Sequence, residues 1–144
     1  MASLDHFKAV GPDSFQPLPG YALEVRDLGI TELSGGAIGA KIFRARTAGE
    51  GEEMAHAIPW HMHDWGFQMG YVIKGWAEYE FEGIGKIRFE EGMSIWQLPK
   101  NRHREFAASA DFEAIEVTWP AHTTTTAFIY DEETAEYREM KFDD

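Results

Sequence analysis

The chain has 144 residues, 44% of them hydrophobic and 14% aromatic, which suits one globular core. A formal charge of −12 excludes the basic face that nucleic acid or an anionic membrane requires, and no run reaches the roughly 20 apolar residues of a membrane helix. The absence of cysteine excludes disulfides, thiolate-bound zinc and a thiol nucleophile.

Residues 1–20 contain Gly11-Pro12, Pro17, Pro19 and Gly20, which predict an extended arm ahead of a single domain over residues 21–144. Met1 to Val10 has no apolar segment of the secretory type, so a cytoplasmic protein is expected, and His6 in this arm is read as solvated. From Tyr21 to Leu28, Leu23 and Val25 alternate with Glu24 and Arg26, the pattern of a half-buried strand. After Gly35-Gly36, Ile38, Ala40, Ile42 and Arg44 mark a second strand, and Gly49 to Glu53 reads as a solvated acidic turn.

The run from Pro59 to Gln68 is the most informative. His61 and His63 stand one residue apart on a predicted strand, so both imidazoles point to one face. Imidazole suits Zn, Cu, Fe and Ni, and such a pair is half of a plausible transition-metal site. Gln68 opens the next strand, whose faces are Phe67, Met69, Tyr71 and Ile73 against Gln68, Gly70 and Val72. If Gln68 points inward, Gly70 leaves room for a ligand. His103 is expected at the end of a later strand, and together His61, His63, Gln68 and His103 would form a four-donor set for one divalent metal.

Lys74-Gly75 is a predicted turn, followed by a strand from Trp76 to Phe81 that places Tyr79 and Phe81 on one face as a pocket wall. Further strands are expected around Ile87 and Phe89, from Met93 to Leu98 and from Phe112 to Trp119. Of Met93 and Trp96, opposite in orientation, only one can face a metal. Phe128-Ile129-Tyr130 and Tyr137 favour a hairpin, and His122 is read as structural or exposed. Eight to eleven short strands between Gly-rich turns predict an all-β sandwich or barrel.

At His61, His63, Gln68, Gly75, Gly92 and His103 the sequence resembles the cupin superfamily. The first cupin motif, G(X)5HXH(X)3,4E(X)6G, is met by both histidines and Gly75, with Gln68 in place of its Glu and Ala55 in place of its first Gly. The second, G(X)5PXG(X)2H(X)3N, is met by Gly92 and His103, with Leu98, Lys100 and Ala107 replacing its Pro, Gly and Asn. The resemblance implies a jelly-roll barrel, a homodimer, and a metal (Fe, Mn, Zn or Ni) on His61, His63, His103 and Gln68. A neutral Gln68 would leave the full charge of a dication in place, favouring Lewis acidity.

The expected function is a metalloenzyme acting on a small organic molecule, with dioxygen-dependent cleavage first and lyase or isomerase chemistry next. The competing class is a module that binds or senses a small ligand without turnover. Tyr79 is a candidate proton donor, and Glu116 a candidate general base if it faces the cavity. Arg102 and Arg104 flank His103. They are read as exposed charges or as a clamp for an acidic substrate.

Overall fold

The structure, a computed structural model, describes residues 11, 14–18, 23–46 and 60–143. His6, the Gly49–Glu53 turn and most of the predicted arm lie outside these residues. Among the described residues there are twelve strands: β1 (Gln16–Pro17), β2 (Leu23–Asp27), β3 (Gly39–Ala45), β4 (His61–His63), β5 (Phe67–Lys74), β6 (Trp76–Phe81), β7 (Gly85–Glu90), β8 (Ser94–Gln97), β9 (His103–Ala108), β10 (Glu113–Trp119), β11 (Thr124–Asp131) and β12 (Glu136–Asp143). One short helix, α1 (Ile30–Leu33), separates β2 from β3.

The strands form two six-stranded antiparallel sheets, ordered β1-β2-β3-β10-β5-β8 and β12-β11-β4-β9-β6-β7. From β3 onward the chain passes repeatedly from one sheet to the other, which is jelly-roll topology. The all-β jelly roll expected from the sequence is therefore the fold observed. The expected strand count falls one short, because the two-residue β1 carries no pattern of its own; it pairs with β2 at the sheet edge. The hairpin preferred for the C-terminal segment is β11–β12, in register from Thr124↔Asp143 to Asp131↔Glu136.

Alternation sorts the side chains as the pleat requires. Gln68 and Val72 are buried on β5, whereas Phe67 and Tyr71 are exposed on its other face. On β3, where the sequence marked a strand without assigning its inner face, Lys41 and Phe43 line the cavity, while Ala40, of the opposite parity, is buried as well. Gly75 joins β5 to β6 across the two sheets with φ +67, and a β-carbon there would collide with the side chains of Ser109 and Asp111. The core comprises Leu23, Val72, Ala77, Phe81, Phe89, Ala108 and Phe112. Several of these side chains also wall an internal cavity, so the two sheets enclose space rather than fill it. No helix among the described residues is long and apolar enough to cross a membrane.

Candidate metal centre and cavity

β4 pairs with β9 through one residue couple, His61↔His103, so two of the predicted ligands are direct cross-strand neighbours. Their ring centroids lie 4.1 Å apart. His63, two residues along the same face, is 5.0 Å from His61 and 5.5 Å from His103 by ring centroid. One ligand nitrogen from each of the three rings lies within 4.8 Å of the others. Nitrogens sharing an ion at about 2.1 Å stand roughly 3–4 Å apart, so small ring rotations suffice to bring the set onto one ion.

Two of the imidazoles are oriented by their Nδ1 atoms. His63 Nδ1 is 2.8 Å from Thr125 Oγ1, on the β11 residue directly opposite it. His103 Nδ1 donates to the Asn101 carbonyl at 2.8 Å. A ring whose Nδ1–H donates, as that of His103 does, offers Nε2 as its lone pair, the arrangement in which histidines ligate metals. The Gln97 side chain sits against the same ring, with its nitrogen 2.9 Å from Nδ1 and 3.2 Å from Nε2 of His103. Burial, reinforced by His61 and His103, lowers the His63 pKa to about 2. Burial and His61 lower His103 to about 3, against the opposing effect of its bond to Asn101. Both rings are therefore neutral near pH 7, as ligands must be.

The imidazoles His61 and His63 open onto a cavity of about 440 Å³ lined by Phe43, Phe81, Phe89 and Phe112 among its apolar residues. Gln68, Tyr79, Glu105 and Glu116 supply polar groups to the same wall. Tyr79 and Phe81 thus form the pocket wall that their alternation predicted, and Glu116 does face inward, which strand parity alone left open. The Gln68 amide nitrogen donates to Glu116 Oε2 at 3.0 Å.

Tyr79 hydrogen-bonds Glu105, its cross-strand partner on β9. Burial pushes the Glu105 carboxyl up to about 7, the Tyr79 bond opposes this, and the Glu116 charge adds to it. The Tyr79 hydroxyl is raised well above its ordinary value by burial and then by Glu105 and Glu116. Glu105 was missed from sequence. It stands two residues after His103, so the parity that turned the histidine inward should have flagged it. Lys41 and Gln97, which also line the cavity, were missed as well.

Other expectations near His103 need correction. Arg104 bonds Glu80 through Nη2 at 2.8 Å and Nε at 3.2 Å, and Arg102 pairs with Glu82 at 3.1 Å. Neither lines the cavity, so a substrate carboxylate finds no arginine clamp there. Neither Met93 nor Trp96 faces the histidines: both are exposed.

No family model matches the chain, and no curated protein matches it in sequence. Solved structures do. The polyketide cyclase RemF from Streptomyces resistomycificus superposes with a TM-score of 0.62 at 17% identity, over 81% of each chain. KdgF from Halomonas sp. gives 0.56 at 23% identity, over 75% of this chain and 88% of its own. An RmlC-like cupin from Shewanella frigidimarina gives 0.55 at 18%, over 75% and 84%. At these identities the likeness establishes the fold, and that fold is the cupin jelly roll.

Proposed function

We propose that this cupin-fold protein is a metal-dependent enzyme acting on a small, largely apolar organic molecule. His61, His63 and His103 would hold one divalent transition metal, with Gln68 as a further oxygen donor. The observation that carries the reading is the convergence of three buried or half-buried imidazoles, two of which, His61 and His63, line a mainly apolar cavity. A bound metal would supply Lewis acidity toward a substrate oxygen. Around it, the apolar wall excludes water from the substrate's hydrocarbon part. Glu105, hydrogen-bonded to the neutral Tyr79 hydroxyl and pushed up to about 7, is placed where a proton can be given or taken.

Dioxygen-dependent cleavage and redox-neutral lyase or isomerase chemistry are the two branches of this reading. Glu105 supports the second, because redox-neutral chemistry needs proton transfer and a carboxyl pushed up to about 7 on the cavity wall can exchange a proton near neutral pH. The exposed Phe67, Tyr71, Trp96 and Trp119 lie toward one outer sheet surface and support a homodimer.

Elemental analysis of untagged protein, beside His61→Ala and His103→Ala, is the test. About one Fe, Mn, Zn or Ni per chain, lost in both variants with the β fold retained, is the expected result. Full occupancy in both variants would remove these residues from the site. Turnover of a candidate substrate under nitrogen as fast as in air would select the redox-neutral branch; stoichiometric oxygen uptake would select the other.

A further inference from the structure

The cavity places an amide against a carboxylate on neighbouring strands, at the position where the resemblance leads one to expect a second carboxylate. In the β5–β10 register Gln68 faces Thr118 and Glu116 faces Gly70, which makes Gln68 and Glu116 diagonal neighbours on the inner face. Gly70 has no side chain to occupy the space opposite Glu116, and a β-carbon there would meet nothing closer than 3.7 Å. The Glu116 carboxylate fills that space sideways, toward Gln68, and accepts its amide N–H at 3.0 Å. A carboxylate accepts and does not donate, so the amide edge facing it is the NH2. The carbonyl oxygen of Gln68 is then on the branch turned away from Glu116. On its other side Gln68 is paired in register with Gln97, whose side chain reaches across to His103 on the facing sheet, so one side chain stands between this amide's strand pair and the histidine cluster.

We propose that Glu116 is a positioning residue: it holds the NH2 of Gln68, turns the amide oxygen toward the histidine end of the cavity, and makes an amide rather than a carboxylate the side chain that position 68 accepts. The inference rests on the metal reading for its purpose, but not for its mechanism. A carboxylate in place of the Gln68 amide would stand about 3 Å from that of Glu116 in a poorly solvated wall, where their repulsion is weakly screened. Glu116 thus accounts for the departure from the cupin motif at Gln68.

The test has two arms on the full chain. In the metal-free arm, urea midpoints are compared for wild type, Gln68→Glu, Glu116→Gln and the double variant. Gln68→Glu should lower the midpoint, and adding Glu116→Gln should restore it by re-forming the bond with its polarity reversed. An additive pair would overturn the proposal. In the metal arm, Zn²⁺ is titrated calorimetrically into chelator-treated protein. Glu116→Ala should weaken binding about tenfold or more, as losing the partner of a ligand does, whereas Glu116→Gln, which still accepts from Gln68, should bind close to wild type. Equal affinity for wild type and Glu116→Ala overturns the positioning role. Failure of wild type to bind Zn²⁺, Mn²⁺ or Fe²⁺ defeats the metal reading and with it the orientation toward a metal, while the midpoint cycle still decides the coupling of the two side chains.

Discussion

Replacing Tyr79 by Phe removes one oxygen from a wall that otherwise keeps its shape, and the structure sets the size of the effect. The lost bond serves Glu105, a half-buried carboxyl on the neighbouring strand. Hydrogen bonds to charged groups contribute about 1.5–3 kcal/mol, neutral ones about 0.5–1.5 kcal/mol. Glu105 has a folded-state pKa raised from 4.5 to about 7, so its favourable contribution is complete below pH 4.5 and is lost as pH rises through 7. The Tyr79 bond works against that rise, so without it the Glu105 value climbs further and the loss deepens at high pH. Tyr79→Phe should therefore cost about 2 kcal/mol at pH 8.5 and about 1 kcal/mol or less at pH 4.5. With a urea slope of roughly 2 kcal/mol per molar, the first figure moves the midpoint by about 1 M. Chelator-treated protein at fixed concentration keeps metal and assembly from contributing. In a Glu105→Gln background the same substitution should cost only the neutral amount, independent of pH. A deficit that is equal at both pH values, or equal in both backgrounds, would refute the pairing.

Three further outcomes follow from the geometry. Gly75→Ala introduces a side chain at φ +67 and against Ser109 and Asp111, which should cost about 2 kcal/mol and lower Tm by several degrees; an unchanged Tm would mean the β5–β6 corner is not fixed as described. In metal-free protein, the lowered values of His63 and His103 contribute stability that is present above pH 6.5 and lost as pH falls below it. Two imidazoles outweigh the single Glu105 acting in the opposite direction. The urea midpoint should thus fall between pH 6.5 and 4, and His103→Gln should flatten the fall. Finally, metal loading should raise hydrogen-exchange protection in β4 above that elsewhere, since β4 meets β9 at His61↔His103 alone and an ion on both rings would tie the strands together. Uniform protection across both sheets would count against that placement.

The sequence disclosed most where one strand face is apolar and the other polar. Leu23 and Val25 on β2 read correctly for that reason. So did Tyr79 and Phe81 on β6. The spacing of His61, His63 and His103 survived because period-two geometry turns alternate residues the same way. Where both faces are apolar, parity had nothing to choose with. On β3 the alternation of Ile38, Ala40, Ile42 and Arg44 marked a strand but did not say which side faces the cavity. The structure decides it: Phe43 packs on the core cluster and Lys41, two residues before it, lines the cavity. Arg102 and Arg104 stayed open between exposed charge and clamp for another reason. Whether a guanidinium is available depends on its cross-strand neighbours, here Glu82 and Glu80, and register between β6 and β9 is invisible before the sheet is assembled.

The cavity itself argues for a ligand. A dry void costs about 24 cal/mol per Å³, so 440 Å³ left empty would forfeit roughly 10 kcal/mol. That is comparable to the whole stability of a typical domain. The space therefore has to hold water in the free protein. Its polar rim of Gln68, Glu105, Glu116 and Lys41 can hydrogen-bond that water, while the surfaces of Phe43, Phe81, Phe89 and Phe112 cannot. Water against those rings is held poorly and is cheap to displace. The chain has ten Phe, yet it places Gly70, Ala114 and Ala127 on this wall, where larger side chains would have filled the space. Such a wall sacrifices packing to keep room for roughly 15 non-hydrogen atoms, taking about 30 Å³ for each as for water. A molecule of that size with an apolar body and oxygen groups at its end would gain most by entering. The imidazoles His61 and His63 on one side and the Tyr79–Glu105 pair on the wall are where its oxygens would find partners.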